Sequence, residues 1–193
     1  PGAFLSTLAA NFNITFNYGR IGISPAELTV STFDYLINQG EEIDYTQIPV
    51  EIDASDFVYE ETIDSVFPEG LKFYFENSYG ESYQPGDTGI FDIYIEEPEN
   101  YTLKFASVGK LYVTTYGDDM RKVRTYLDCI EVPPSTDGLD YTANFRYDNP
   151  NSDPIYVLQG PENELVTLGE FIGQLTVIFL PGEGTFKVRF DGQ

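Results

Sequence analysis

Two groups of side chains in this 193-residue sequence have types and spacing that could do chemistry. The first lies in residues 148–153, where Asp148, Asn149, Asn151 and Asp153 offer side-chain oxygens as metal ligands. Ca²⁺ prefers about six to eight oxygen ligands, and loop carbonyls would supply the remainder. The competing interpretation is a β-turn, because Asn-Pro and Asp-Pro initiate turns and Asx side chains bond their own backbone. The spacing of an EF-hand loop is not met, and we favour the turn.

The second group is an aromatic and polar stretch that contains Tyr74, Asn77, Tyr79 and Tyr83. Tyrosine stacks on sugar rings and makes adaptable contacts at protein interfaces, so these four are candidate ligand-binding residues. A surface glycan or a host protein would then be the partner. The alternative is that the aromatic side chains belong to strands and hairpins and pack a small core.

The sequence lacks the residues that most catalytic sites need. It has no His, no Trp and a single Cys, Cys129. Ser-His-Asp and Cys-His nucleophile systems, imidazole proton shuttles and His-bearing zinc sites are therefore excluded. A single Cys also excludes an intrachain disulfide, and we predict that Cys129 is a small buried apolar residue. The sequence predicts no catalytic residue, no enzymatic activity and no cofactor other than the candidate Ca²⁺.

Acidic residues dominate the charge, with 32 Asp and Glu against 10 Lys and Arg and a net charge of -22. Such a chain repels phosphate backbones, which argues against nucleic-acid binding. Residues 1–100 contain 19 acids and 2 bases, whereas residues 101–193 contain 13 acids and 8 bases. Nine carboxylates and no base lie between Glu41 and Asp64, and we expect them to form a solvated face.

Apolar residues alternate with polar ones along much of the chain, which is the pattern of half-buried β-strands. One short helix is predicted over 56–67, because Ser55 or Asp56 caps it and Pro68 stops it. No apolar run approaches the roughly 20 residues of a membrane-spanning helix. The alternating pattern, bounded by turn residues, predicts strands over 11–16, 26–32, 71–75, 89–95, 101–105, 109–114, 122–130, 140–147, 155–158, 174–180 and 184–190.

Two segments repeat one pattern: residues 11–23 read NFNITFNYGRIGI, and residues 100–113 read NYTLKFASVGKLYV. Each has an alternating strand, a Gly followed by a basic residue, and a second alternating stretch. This pattern predicts a β-hairpin with the Gly in its turn. The copies start 89 residues apart, a spacing that indicates tandem modules. We therefore expect residues 1–23 to be the closing hairpin of a preceding repeat, in a fragment of a longer protein.

The run NFNITFNYGRIGISPAELTVS resembles the junction between consecutive MBG-type repeats of bacterial surface adhesins. In that family a hairpin of the form NYxITF…GxLxI closes one module, and a P-A-x-LTV strand opens the next, as residues 25–30 do here. Residues 57–62 resemble the family's F-V-x-G-E-T segment, and residues 86–93 resemble its G-x-Y-x-I strand. The family's K-x-Y-G is replaced by residues 33–36. The resemblance implies an acidic MBG-like β module over residues 24–114.

The rest of the chain, residues 115–193, resembles small β domains near the C-terminal ends of large secreted proteins of the Bacteroidota. The segments that carry this resemblance are 125–134, 147–157 and 179–188. Export through the type 9 system and adhesive or gliding roles are common in that group. The resemblance implies a secreted or cell-surface location and carries over no catalytic residue.

These observations predict a mainly β chain with two small β-rich modules in tandem and at most one short helix. Each module is expected to be either β-grasp-like or an immunoglobulin-like sandwich, within domains 1–23, 24–114 and 115–193. The predicted function is that of a non-enzymatic stalk or spacer in adhesion, with neighbouring repeats of the parent chain as partners. The alternatives are a carbohydrate- or protein-binding module of the cell surface and a repeat stiffened by Ca²⁺.

Overall fold

The computed structural model describes residues 24–115, 117, 119–134, 137–166 and 169–192. Within these residues the chain is mainly β, as the sequence predicts, with thirteen strands, one α-helix of four residues and one short 3-10 turn. The predicted strand 11–16, and with it the predicted closing hairpin 1–23, lies outside the described residues. No helix in these ranges is long and apolar enough to cross a membrane.

Seven strands form the first group of sheets, which we call the N-terminal module, and six form the second, which we call the C-terminal module. The N-terminal module contains β1 (Ala26–Thr32), β2 (Tyr35–Asn38), β3 (Val50–Ile52), a 3-10 turn (Ala54–Asp56), α1 (Ile63–Val66), β4 (Phe73–Glu76), β5 (Gly89–Ile95), β6 (Tyr101–Ser107) and β7 (Lys110–Thr114). The C-terminal module contains β8 (Arg124–Glu131), β9 (Tyr141–Asn149), β10 (Ile155–Tyr156), β11 (Phe171–Ile172), β12 (Ile178–Phe179) and β13 (Gly182–Phe190).

The N-terminal module is a β-sandwich with strand orders β3-β1-β6 and β2-β7-β5-β4. β1 pairs with β6 in parallel, and β2 pairs with β7 in parallel, whereas the remaining pairs are antiparallel. Two apolar clusters lie inside, one around Ile93 and the other around Leu28. Val50 and Phe73 pack against both clusters, so the two sheets share one continuous core.

Residues 100–113 do not form the hairpin that the repeated pattern predicts. β6 pairs with β1 in one sheet, while β7 pairs with β2 and β5 in the other sheet. The two strands are therefore consecutive parts of one run that changes sheets at Val108 and Gly109. The prediction is wrong because a Gly between two alternating stretches is also what a change of sheets requires. Only the pairing partners, which are distant in sequence, distinguish the two outcomes.

The predicted helix over 56–67 is also wrong in its extent, since the helix α1 has only four residues and none of them is buried. Tyr59 and Glu60 both have positive φ angles, 53° and 62°, which interrupt any helix that begins at Asp56. The N–H of Thr62 donates to Ser65 Oγ at 2.8 Å, so Thr62 caps a separate helix that begins at Ile63. A β-grasp fold needs a long helix packed on its sheet, so the sandwich alternative describes this module.

The predicted strands agree with the observed ones where alternation is long, as in β1 and β5. The prediction over 174–180 is wrong in extent, because only Ile178–Phe179 pairs, as β12, in this segment. The strands β2, β3 and β11 were not predicted; each has two to four residues, too few to show a period.

The C-terminal module has a four-stranded sheet of order β11-β13-β9-β8 and a separate pair, β10 with β12. β9 and β13 pair over nine residues. Alternation places Phe145, Tyr147, Phe186 and Val188 on one apolar face of this sheet. The β10-β12 pair covers one end of that face, where Tyr147 packs with Phe179. This core is smaller than that of the N-terminal module.

Candidate functional site

The chain passes from one sheet of the N-terminal module to the other twice, between β1 and β2 and between β6 and β7, and these two passages lie side by side. We call this crossing the strand switch, residues 32–34 and 108–110. There the buried hydroxyl of Thr32 accepts the N–H of Gly109 at 2.8 Å and donates to the carbonyl of Ile93 at 2.9 Å. One side chain thus satisfies a backbone donor and a backbone acceptor in the buried crossing.

Side-chain contacts and close packing complete the strand switch. The N–H of Lys110 donates to Asp34 Oδ1 at 2.9 Å, and Lys110 Nζ lies 2.5 Å from Asp92 Oδ1. A Cβ atom at Gly109 would lie 2.2 Å from the carbonyl carbon of Phe33. The two backbones therefore approach so closely that only glycine fits at this position.

The parallel pairing places the two ends of the N-terminal module far apart. The N–H of Ala26 donates to the carbonyl of Asn100 at 3.0 Å at one end, and the N–H of Gln39 donates to Thr114 at 2.8 Å at the other. At a rise of about 3.3 Å per residue, the strand run 26–38 spans at most about 40 Å. The chain thus enters the sandwich at one end and leaves at the opposite end.

The exit strand β7 touches the C-terminal module directly. The rings of Tyr112 and Tyr156 lie 5.5 Å apart, and the N–H of Tyr156 donates to Thr114 Oγ1 at 3.3 Å. All three residues are buried. Burial raises the pKa of Tyr112, with a smaller contribution from Asp34, and burial also raises the pKa of Tyr156. We call this contact the aromatic joint; it was not predicted, and the unbroken apolar run at 111–113 was its only signal.

The carboxylates of the acidic run from Glu41 to Asp64 do more than face solvent. Hydrogen bonds from the hydroxyl and then the N–H of Thr46 lower the pKa of Asp44, and Ser55 acts in the same way on Asp53. Such bonds hold the loop backbone in place. Asp56 and Glu61 also have partners in the strands, Thr29 N–H at 2.8 Å and the Tyr101 hydroxyl at 2.5 Å respectively.

Tyr79 and Asn77 lie together in the turn after β4. Asn77 Oδ1 accepts the N–H of Tyr79 at 2.9 Å and the N–H of Glu81 at 3.0 Å, so Asn77 organises the turn. Tyr79 is 86% exposed at the tip. A fixed turn that presents a bare aromatic ring is suited to contact with a ligand.

Tyr74 and Tyr83 lie on opposite sides of their sheet, so the structure does not gather the four candidate residues into one pocket. The Tyr83 ring packs edge-on against Phe75 and Phe91, with centroids 6.2 and 5.3 Å apart, and so belongs to the core. Tyr74 stacks on Tyr94 at 5.3 Å on the outer face and is partly exposed. Sequence reasoning missed Tyr94, because only the strand register places it beside Tyr74.

Three of the four candidate calcium ligands, Asn149, Asn151 and Asp153, belong to one turn network. The carboxamide of Asn149 is buried; its Nδ2 donates to the carbonyls of Asp153 and Phe179, and its Oδ1 accepts two bonds from Asn151. Asn151 in turn bonds the backbone of Arg121 in both directions. These contacts use the amide groups that a cation would need, which supports the turn interpretation.

Acidic clustering does not produce a metal site elsewhere in the described ranges. No group of three or more His, Cys, Asp or Glu side chains is arranged there to hold an ion. Asp148 lies within the strand β9, across from Arg124 of β8 and Glu183 of β13. Its place in the strand ladder separates it from the buried amide of its neighbour Asn149.

The apolar face of the C-terminal sheet is only partly covered. An open cavity of about 850 Å³ lies between this face and the loops that cross it. Its rim carries both charge signs, with Arg121 and Lys122 on one segment and Glu162 and Glu164 on another. Its apolar lining includes Met120, Val123, Phe145, Leu175, Phe179 and Phe186.

Cys129 is exposed, so the prediction of a buried thiol is wrong. It lies on β8, an edge strand whose eight residues are all exposed. The register pairs Cys129 with Asn144, on the face of the sheet away from Phe145 and Tyr147. Asn144 Nδ2 donates weakly to its sulfur at 3.5 Å. Alternation alone predicts a strand but does not show whether the strand is central or at an edge.

Comparison with known proteins identifies no relative of this chain. No family model matches the sequence, and no curated protein or solved structure is significantly similar to it. The resemblance to MBG-type repeats therefore stays a prediction that rests on the quoted motifs. Functional inference depends on the strand switch, the aromatic joint and the exposed tyrosines.

Proposed function

We propose that this chain is a non-enzymatic structural segment of a bacterial cell-surface protein, a stalk or spacer that holds an adhesive region away from the cell. The observation that carries the proposal is the parallel pairing of β1 with β6 and of β2 with β7. Antiparallel terminal strands would return the chain to the end at which it entered. Parallel terminal strands advance the chain through the module, as a spacer requires.

Because of the same pairing, a force that pulls on the two ends of the module loads it in shear. Pulling on residues 24 and 115 draws β1-β2 and β6-β7 along one another in opposite directions. The hydrogen bonds between the paired strands then bear the load together, whereas a hairpin pulled at its open end separates one bond at a time. Thr32, Gly109 and Lys110 fix the crossing in the middle of this pair.

The aromatic joint supports a fixed angle between the two modules. Tyr112 and Thr114 belong to the last strand before the linker, and Tyr156 belongs to the next module. A contact so close to the linker restricts bending there. The partners in this function are neighbouring repeats of the parent chain, and the acidic surface favours repulsion over collapse between crowded stalks.

Small-angle X-ray scattering of the whole chain tests the spacer proposal. A compact chain of 193 residues has a radius of gyration of about 16 Å. We expect a value above about 20 Å and a distance distribution with a long tail. Tyr156→Ala is the companion variant, and we expect it to broaden that distribution by loosening the aromatic joint. A compact particle with the radius of a sphere would contradict the proposal.

A second candidate function, a carbohydrate- or protein-binding module, is favoured by Tyr79 and by the stacked pair Tyr74 and Tyr94. Glycan arrays and pull-down assays with the whole chain test it. Binding that is lost in Tyr79→Ala or Tyr74→Ala, and kept in Tyr59→Ala, supports this function. Tyr59 is a suitable control because it is 96% exposed. If all three variants bind like the parent chain, these tyrosines have no binding role.

A further inference from the structure

The edge of the C-terminal sheet is an interaction surface in its own right. β8 pairs with β9 on one side, and no strand among the described residues pairs with its other side. Tyr126, Leu127 and Ile130 are each 40% to 53% exposed on this strand. A long exposed edge with apolar side chains is a template for pairing with another chain.

A β-bulge gives this edge an unusual pattern. The register of β8 on β9 shifts between Leu127 and Cys129, so Asp128 is an extra residue. The β9 partners of the residues at 124, 126, 129 and 131 are residues 148, 146, 144 and 142, which alternate along β9 and share one face. Arg124, Tyr126, Cys129 and Glu131 therefore lie on one face of the sheet, and Thr125, Leu127 and Ile130 lie on the other.

The two ends of this pattern are complementary to one another. When β8 is placed antiparallel to β8 of a second copy with Arg124 opposite Glu131, Tyr126 falls opposite Cys129 and Thr125 falls opposite Ile130. These outer pairs each have both members on one face, as cross-strand pairing requires, whereas the two bulges meet at the twofold axis, where Leu127 falls opposite Asp128 and the ladder is interrupted. In a strand without the bulge, Arg124 and Glu131 would point to opposite faces, and no such ion pair would form.

The charges at the two ends of the strand are available for this pairing. Neither Arg124 nor Glu131 has an ion pair or side-chain hydrogen bond within the described part of the chain, although Arg124 lies across from Asp148. Arg146 lies over the Tyr126 ring at 4.9 Å and also contacts Asp128 at 3.4 Å. These contacts hold side chains in place on the face where the Arg124–Glu131 pairs would form. The net charge of residues 101–193 is only -5, so repulsion between copies is weakest in this half of the chain.

We propose that two copies of this chain associate through antiparallel pairing of their β8 strands, which joins the two four-stranded sheets into one sheet of eight. Two Arg124–Glu131 pairs related by the twofold axis set the register. The contact is small, so the dimer dissociates on dilution. This inference uses the C-terminal sheet alone and does not depend on the spacer function.

Charge reversal tests the proposal. Sedimentation velocity of the parent chain at increasing concentration is expected to show a monomer–dimer equilibrium. Arg124→Glu alone and Glu131→Arg alone each place two like charges opposite one another, and each is expected to weaken the dimer at least about tenfold. An equimolar mixture of the two variants restores both ion pairs, so the mixture is expected to dimerise as a heterodimer.

The restored heterodimer separates a specific contact from misfolding, because a variant that fails to fold would not recover on mixing. Disulfide trapping gives the register directly. Tyr126→Cys lies opposite Cys129 of the second copy and is expected to form a covalent dimer on oxidation. Thr125→Cys, on the other face, is expected to remain monomeric on a non-reducing gel.

Three outcomes would overturn the proposal. The first is a parent chain that stays monomeric at all concentrations, in which case the bulge protects the edge. The second is a dimer that survives both charge reversals, since another surface would then hold it. The third is equal trapping of the two cysteine variants.

Discussion

The strands β7 and β8 follow one another along the chain and have opposite surroundings. In β7 every residue after Lys110 is buried, because one face packs in the sandwich core and the aromatic joint adds cover on the other. In β8 all eight residues are exposed. The N-terminal module is thus closed around β7, which lies between β2 and β5, whereas the C-terminal module presents β8 as an open edge and has a partly covered face. The first arrangement suits a segment that bears mechanical load, and the second suits contact with another molecule.

Gly109→Ala is the change expected to damage the closed module most. The new Cβ would lie 2.2 Å from the Phe33 carbonyl carbon, and because the neighbour is backbone, the strand switch has to open. We expect a loss of about 3 kcal/mol or more in the free energy of unfolding of this module, at the upper end of the usual cost of overpacking. Urea denaturation followed by circular dichroism measures it.

Gly117→Ala is the matched control for that experiment, because a Cβ there meets no atom within 4 Å and the residue has no positive φ. Its unfolding midpoint is expected to stay close to that of the parent chain. If Gly109→Ala unfolds at the same midpoint as Gly117→Ala, the tight crossing of the two strands is refuted.

A pair of leucines sharpens the contrast between the two strands. Leu111 on β7 is fully buried, and Leu127 on β8 is 53% exposed. Leu111→Ala is expected to cost about 3 kcal/mol, within the usual range of about 2 to 5 for a buried leucine, and Leu127→Ala less than about 1. Chemical denaturation of both variants measures the difference, and equal losses would remove the distinction between a closed and an open module.

Thr32→Val tests the hydroxyl at the strand switch. The change keeps the shape of the side chain but leaves the Gly109 N–H and the Ile93 carbonyl without this partner. We expect a loss of about 1 to 3 kcal/mol, the cost of unsatisfied buried groups. Thr102→Val on the exposed side of β6 is the control and is expected to change the free energy of unfolding by less than about 0.5 kcal/mol. Similar losses in both variants would show that the Thr32 hydroxyl is not structural.

The smallest expected effect is the response of the aromatic joint to alkali. Tyrosine is neutral when protonated, and burial raises the pKa of Tyr112 and Tyr156 in the folded chain. Their contribution to stability is therefore present below the ordinary tyrosine pKa of about 10 and is lost as the pH rises through the raised value. We expect the melting temperature to fall above about pH 10, and to fall less steeply in Tyr156→Phe. A melting curve without this alkaline decline would argue against burial of the two rings.

Sequence reasoning identified what depends on local pattern and missed what depends on distant partners. The Asn-Pro and Asp-Pro pairs predicted the turn at Asn149, and long alternation predicted the mainly β fold and the extents of β1 and β5. It did not distinguish a hairpin from a strand switch at Gly109, because both place glycine between alternating stretches. It also predicted burial for Cys129, whose exposure follows from the face of the edge strand β8 on which the register places it.

The candidate ligand-binding residues show the same limit. Tyr74 and Tyr83 are close in sequence and look equivalent by composition, yet one faces outward and the other lies in the core. The ring of Tyr83 follows Phe75 and Phe91 inward, and only the strand register reveals this. Tyr79 is the one candidate whose exposure a turn-rich local sequence already indicates.

The parallel pairing of the terminal strands also affects how the N-terminal module folds. Ala26 pairs with Tyr101 and Asn38 with Thr114, so each contact closes a loop of about 75 residues. Contacts of such long range slow folding, since the loop has to close before the pairing stabilises it. A chain is synthesised from its N-terminus, so β6 and β7 are the last strands of this module to emerge. The sandwich therefore cannot form until the whole module has emerged. Its density of negative charge keeps the waiting chain extended and opposes premature collapse.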